Sequence, residues 1–246
     1  MFNDLRTEGL EESQDRLGGG FIKESDIYTG TVKVAYGTKS KKGATALNLV
    51  LDFEGKEYKE TVYVSNKDGK NYWVDTKNGN KHIPLPGFTV AEELCIIITN
   101  KPLADQTVED KMVNVWDPDL KKEVPKSVPV LTELTGQTVS VGILKQLENK
   151  SESDGNGGYT PTAETRETNT IDKVFHTETR LTYPEARDGK TEGGFWDGWI
   201  SRNQGKTRDR TDKKLTGSGG NAGAPRSSSS GAGAAEAPRK SLFGGK

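Results

Sequence analysis

The 246 residues hold one cysteine, Cys95, and two histidines, His82 and His176. That excludes a disulfide framework, leaves too few soft ligands for a structural zinc site and suits a reducing cytosol. Long apolar runs are missing too, since no stretch approaches the ~18 residues of a membrane span. Met1 to Gly20 mixes Asp4, Arg6, Glu8, Glu11, Glu12, Asp15 and Arg16 with scattered leucines, so the expectation is a protein neither secreted nor anchored. Hydrophobic residues make up only 31%, low for a chain that folds throughout, and part of it is expected to stay unfolded. Net charge is −1 and argues neither for nor against nucleic acid. Arginine is absent between Phe21 and Lys150, where every basic residue is a lysine. The sequence also lacks a phosphate-binding glycine loop, a nucleophile elbow and an HExxH helix. His82 and Cys95 read as a loop residue and a core residue without triad or ligand partners. Asp117 and Asp119 look like half a calcium loop, but Lys121 and Lys122 stand where further acids belong. No enzyme, metal or cofactor is expected.

What is present is concentrated between residues 21 and 150. Three alternating strands open it: Ile27 to Tyr36 with Tyr28, Val32, Val34 and Tyr36 on one face, Thr45 to Phe53 with Leu47, Leu49, Leu51 and Phe53, and Tyr58 to Val64 with Val62 and Val64. Residues 64–86 break the pattern and predict a long loop with a short hairpin turning at Asn78-Gly79. Thr89 reads as the N-cap of a helix over Val90 to Ile98, with Glu92 and Glu93 in its first turn; the three isoleucines also suit a buried strand. Asp110 to Trp116 and Gln137 to Leu147 supply two more strands, with Pro118, Pro125 and Pro129 confining the segment between to loop or edge. Strand, strand, strand, helix, strand, strand predicts a mainly β chain built on an OB-fold-like, five-stranded Greek-key barrel with one helix; an immunoglobulin-like sandwich is the rival. Residues 1–20 form an N-terminal segment, 21–150 the barrel domain, and 151–216 a polar extension that starts with a flexible linker over Ser151 to Gly158. Short helical turns are expected there at Tyr183-Pro184 and around Phe195, Trp196, Trp199 and Ile200. Residues 217–246 are expected to form a disordered Gly/Ser/Ala-rich tail with a hydrophobic tip.

Candidate ligand-binding residues follow from the needs of a single-strand binder: aromatic planes on which bases stack, set in a basic groove that tracks phosphates. Tyr72 and Trp73, bracketed by Lys67, Lys70, Lys77 and Lys81, supply both; the same residues would also suit an ordinary hairpin. Lys39, Lys41 and Lys42 sit in the first strand-to-strand turn, where an OB domain places a binding loop. Lys59, Thr61 and Tyr63 share the face of strand three opposite the core, matched by Asn48 and Val50 on strand two. Trp116 ends a strand, placed either to stack a base or to cap the barrel. The candidate set is Lys39, Lys41, Lys42, Lys59, Tyr63, Lys70, Tyr72, Trp73, Lys77 and Trp116, with Leu242 and Phe243 as a hook for partner proteins. The stretch from Arg202 to Lys246 is basic and suits either salt-sensitive phosphate contact or a solvated linker.

The strings Tyr72-Trp73-Val74-Asp75, Ile83-Pro-Leu-Pro-Gly-Phe88 leading to Ala91-Glu-Glu-Leu-Cys95, and Lys206-Thr-Arg-Asp-Arg210 resemble those of bacteriophage single-stranded DNA-binding proteins. The resemblance implies an OB-fold core that coats single strands during phage DNA replication and recombination in the cytoplasm of the infected host. It also implies a flexible tail that recruits replication or recombination proteins. The tip departs from that pattern, because Phe243 is flanked by Arg239, Lys240 and Lys246 rather than by acids. Two other functions compete: a virion structural or assembly protein with a β-sandwich domain, and a polysaccharide-binding or polysaccharide-degrading module.

Overall fold

The computed structural model describes residues 22–117, 120–153 and 158–215. Among them the chain is mainly β, with ten strands and three α-helices. The strands are β1 (Asp26–Lys39), β2 (Thr45–Phe53), β3 (Lys56–Tyr63), β4 (Tyr72–Asp75), β5 (Lys81–Pro84), β6 (Val108–Asp117), β7 (Lys122–Leu131), β8 (Thr138–Ser153), β9 (Tyr159–Phe175) and β10 (Thr207–Asp209). The helices are α1 (Pro86–Thr99), α2 (Tyr183–Arg187) and α3 (Gly194–Asn203). Eight strands form one sheet and β4–β5 a second, two-stranded one.

β1 organises the large sheet by changing partners along its length. Asp26 to Thr31 pair antiparallel with β8, Thr31 to Lys39 pair with β2, and Tyr36 bridges to Val130 of β7. The exchange comes with a bulge: the register with β2 shifts between Val32 and Val34, leaving Lys33 as the extra residue. Because side chains alternate with period two, one inserted residue reverses the phase. Tyr28 and Val32 therefore face the main core, whereas Val34 and Tyr36 join a separate cluster with Val113, Val115, Val128 and Val130. The expected single face for Tyr28, Val32, Val34 and Tyr36 is corrected accordingly. On β2 the expected alternation is met, since Leu47, Leu49, Leu51 and Phe53 are all buried.

The main core is wrapped by β1, β2, β3, β8 and β9, with α1 laid against it. α1 starts earlier than expected. Its N-cap is Leu85 with Pro86 in the first turn, where proline's missing N–H costs nothing, so Thr89 caps nothing and no acid lies in the first turn. Val90, Ala91, Leu94, Cys95 and Ile97 face the core. Burial pushes the Cys95 thiol up to about 12, as expected for a core residue. Glu93 is buried 3.8 Å from Lys173 of β9.

Two boundaries differ from the sequence reading. The segment Asp110 to Trp116 is a strand, but it belongs to an arm: among the described residues β6 pairs only with β7, from Val108↔Leu131 to Asp117↔Lys122. The strand completing the wrap is β9, which pairs with β8 from Ser140↔Phe175 to Ser153↔Tyr159. Sheet structure thus crosses position 150, and Tyr159–Phe175 pair into the sheet instead of forming a polar extension. The expected helical turns at Tyr183 and around Trp199 are α2 and α3. Thr182 caps α2 with a reciprocal Glu185 box, and α3 packs Trp199 onto Leu144 and Phe175. The N-terminal segment 1–20, the tail 217–246 and the candidate hook Leu242-Phe243 lie outside the described residues.

β3 and β9 are not joined by a ladder. Glu60 joins them, its carboxylate accepting from the Ile171 N–H at 2.8 and 3.1 Å, the Thr170 hydroxyl at 3.0 Å and the Tyr58 hydroxyl at 2.6 Å. Burial pushes the Glu60 carboxyl above its ordinary value, against the pull of those donors.

A candidate nucleic-acid cleft beneath an arm

The outward face of β2 and β3 carries Asn48 opposite Thr61, Val50 opposite Lys59 and Ala46 opposite Tyr63. A polar row crosses three strands: the Thr61 hydroxyl donates to Asn48 Oδ1 at 2.7 Å, and Asn48 Nδ2 donates to the Thr38 hydroxyl at 2.8 Å. Such a row needs no covering layer, because its donors and acceptors already satisfy each other.

The β6–β7 arm rises beside this face. It is tied to β1 by the Tyr36–Val130 bridge and by the valine cluster around Tyr36. Between arm and face lies a cleft of about 320 Å³, with Tyr36, Asn48, Val50, Lys59 and Thr61 on one side and Asn114 and Trp116 on the other. The Trp116 side chain is 59% exposed and that of Tyr63, further along β3, is 53% exposed. Among the described residues neither ring belongs to a buried cluster. Trp116 does not cap the core.

Lys59 also lies in the cleft, but its ammonium is engaged. It pairs with Glu123 of β7 at 2.5 Å and with Glu57 at 3.7 Å, and the hydrogen bond it donates to Glu123 holds its pKa above the ordinary value. Lys39, Lys41, Lys42 and Lys70 lie at one end of these strands. Lys39 ends β1, and Lys41 and Lys42 occupy a turn closed by Ser40 N–H to the Ala44 carbonyl at 2.8 Å, with Gly43 at φ 91°. That turn packs on the next loop, because a Cβ on Gly43 would stand 3.4 Å from the Lys67 carbonyl. The Asn66 side chain in that loop accepts from the N–H groups of Asp68 and Lys70, fixing its path. Lys39, Lys41, Lys42 and Lys70 therefore share one end, with Tyr63 two residues from Ser65, whose hydroxyl accepts from the Thr45 N–H.

Tyr72, Trp73 and Lys77 are placed differently. They lie on the β4–β5 ribbon, which turns through Thr76–Asn78 and Gly79, as the Asn78-Gly79 signal predicts. Its base is held where Leu85 N–H meets the Asn71 carbonyl and Gly87 lies tight against the Tyr63 backbone. Adjacent strand residues point to opposite faces, so Tyr72 and Trp73 cannot present two rings to one track. Tyr72 stacks on His82, centroids 4.1 Å apart at 22°, whereas Trp73 is 49% exposed.

The structure thus joins Lys59 to Trp116, and Tyr63 to the lysine end, and sets the ribbon apart. Sequence reasoning missed Tyr36, whose outward placement depends on the bulge, and Glu123, which lies 64 residues from the lysine it neutralises. The chain matches no protein-family model and no curated protein sequence.

Proposed function

We propose that the chain is a non-catalytic, sequence-tolerant single-stranded DNA-binding protein. In this reading a strand runs along the outward face of β1–β3, from Lys39, Lys41, Lys42 and Lys70, past Tyr63, into the cleft below Trp116. The observation that carries the reading is the pair of exposed rings, Tyr63 and Trp116, on a polar floor next to clustered lysines. Bases stack on such rings whatever their identity, and ammonium groups neutralise the backbone. The proposal includes an OB-type architecture for the core: three strands, α1, then β8 and β9, with β1 pairing to both β2 and β8 and Glu60 bridging β3 to β9. The resemblance of the strings at residues 72–75, 83–95 and 206–210 to those of phage single-strand binders extends the proposal to a role in phage DNA replication and recombination, with the segment after residue 216 recruiting partner proteins.

Titrating the full chain with oligo-dT tests this. Tryptophan emission should be quenched at low salt and recover as salt rises. Absence of both a quench and a gel shift at low salt would reject it.

A further inference from the structure

A second cleft, of about 650 Å³, lies over β8 on the outward face of the sheet, between α3 and β10. Its floor is apolar, made by Leu144 and Trp199, and Phe195 stands at its mouth with 44% of its surface exposed. Its rim carries three cations, Arg202, Lys206 and Arg208, against one carboxylate, Asp172. That carboxylate is already used, accepting the Trp199 indole N–H at 2.8 Å. Lys206 is used as well, donating to the Ser201 and Arg202 carbonyls at the end of α3, where a cation suits the helix dipole. Among the described residues, neither the Arg202 nor the Arg208 guanidinium meets an acceptor.

The rim is held in place from beneath. The buried Ser25 hydroxyl donates to the Lys206 carbonyl at 2.5 Å and accepts from the Lys145 N–H at 2.8 Å, while the Ser25 carbonyl accepts from the Gly205 N–H at 2.9 Å. β10 then pairs parallel to β8, setting Arg208 opposite Gln146. Two unengaged guanidinium forks held on fixed backbone match the geometry of a phosphate, and the neighbouring ring and apolar floor suit a base. The volume lies within the range of small-ligand pockets.

We propose that this cleft binds a nucleotide unit, phosphate on Arg202 and Arg208 and base against Phe195, as a second contact for the strand that runs below Trp116. The strand as its source rests on the function proposed above; the cleft's preference for a nucleotide does not. Arginine footprinting of the full chain by phenylglyoxal and mass spectrometry tests it, with oligo-dT and thymidine monophosphate as separate probes and Arg187 as the reference. Protection of Arg202 and Arg208 by oligo-dT alone, with Arg187 unchanged, establishes the strand contact. Protection by the mononucleotide as well establishes a site that accepts free nucleotides. The Arg202→Ala/Arg208→Ala chain should then lose about 1.4 from the slope of log affinity against log salt, ~0.7 for each phosphate contact. Unprotected arginines while oligo-dT quenches Trp116 would overturn the second contact and leave the first cleft standing. If oligo-dT does not bind at all, the reading of the first cleft fails, and the mononucleotide probe alone decides this one: protection supports it and its absence overturns it.

Discussion

Two parts of the sheet's outward face treat tryptophan in opposite ways. On the β8–β9 side Trp199 is 3% exposed, packed on Leu144 and Phe175, with its N–H satisfied by Asp172. Room for it is made by Gly142, where a Cβ would stand 2.9 Å from the indole ring. On the β1–β3 side, among the described residues, Trp116 has neither a covering helix nor a glycine recess, and stays 59% exposed. The residue type is the same and the difference lies in what the neighbours supply. Where a chain builds a glycine recess, a carboxylate partner and a lid, the ring contributes to folding; where it builds none of these, the ring remains available to a ligand.

The sharpest way to break this comparison is to truncate the packed ring. Trp199→Ala should cost about 3–5 kcal/mol of stability, read as a lowered urea midpoint. A loss below about 1 kcal/mol would mean that α3 contributes little to the fold.

Next is the seam between the two sides. Glu60→Ala leaves the Ile171 N–H without its acceptor and should cost about 1–3 kcal/mol. Glu60→Gln keeps an acceptor and removes the charge. Because burial raises the Glu60 pKa in the folded chain above 4.5, its favourable share is complete below that value and is lost as pH climbs through the raised one. The stability of the wild-type chain relative to Glu60→Gln should therefore fall from pH 4 upward and then level off. Parallel stability curves for the two chains would contradict the burial argument.

The exposed rings come third. Trp116→Ala and Tyr63→Ala should each weaken oligo-dT binding by about 1–3 kcal/mol while shifting stability by no more than about 0.5 kcal/mol. Stability losses as large as that of Trp199→Ala would erase the distinction between the two sides.

The smallest effect is expected from Glu123→Gln, which releases Lys59 from its shorter ion pair. Oligo-dT should bind slightly more tightly at low salt, with the salt slope steeper by at most ~0.7. An unchanged slope would place Lys59 outside the strand's path.

Much of this was legible in the sequence. The phase of β2, the exposed side of β3, the ribbon turn and the aromatic spacing of α3 are local patterns, and local patterns survive into the structure. β9 was not legible because of its surroundings. Its first half, Tyr159 to Glu167, pairs with the far end of β8 beyond the core and is largely exposed, so no alternation marks it. Only Ile171, Val174 and Phe175 are buried. β6 misled for the converse reason: Val113 and Val115 alternate as a core strand would, yet they serve the small cluster under the arm. The bond from Ile171 to Glu60 spans 111 residues and the Lys59–Glu123 pair spans 64, and no local periodicity reports contacts at that range.

Lys33 shows how a position can matter by being counted rather than by its chemistry. Its ammonium meets Glu57 at the surface, a bond of the kind that contributes little, so many side chains would serve there. Were Lys33 instead drawn into a regular ladder opposite Val50, Val34 and Tyr36 would take the parity of Val32, aiming a phenol at the interior and stripping the arm of its seat.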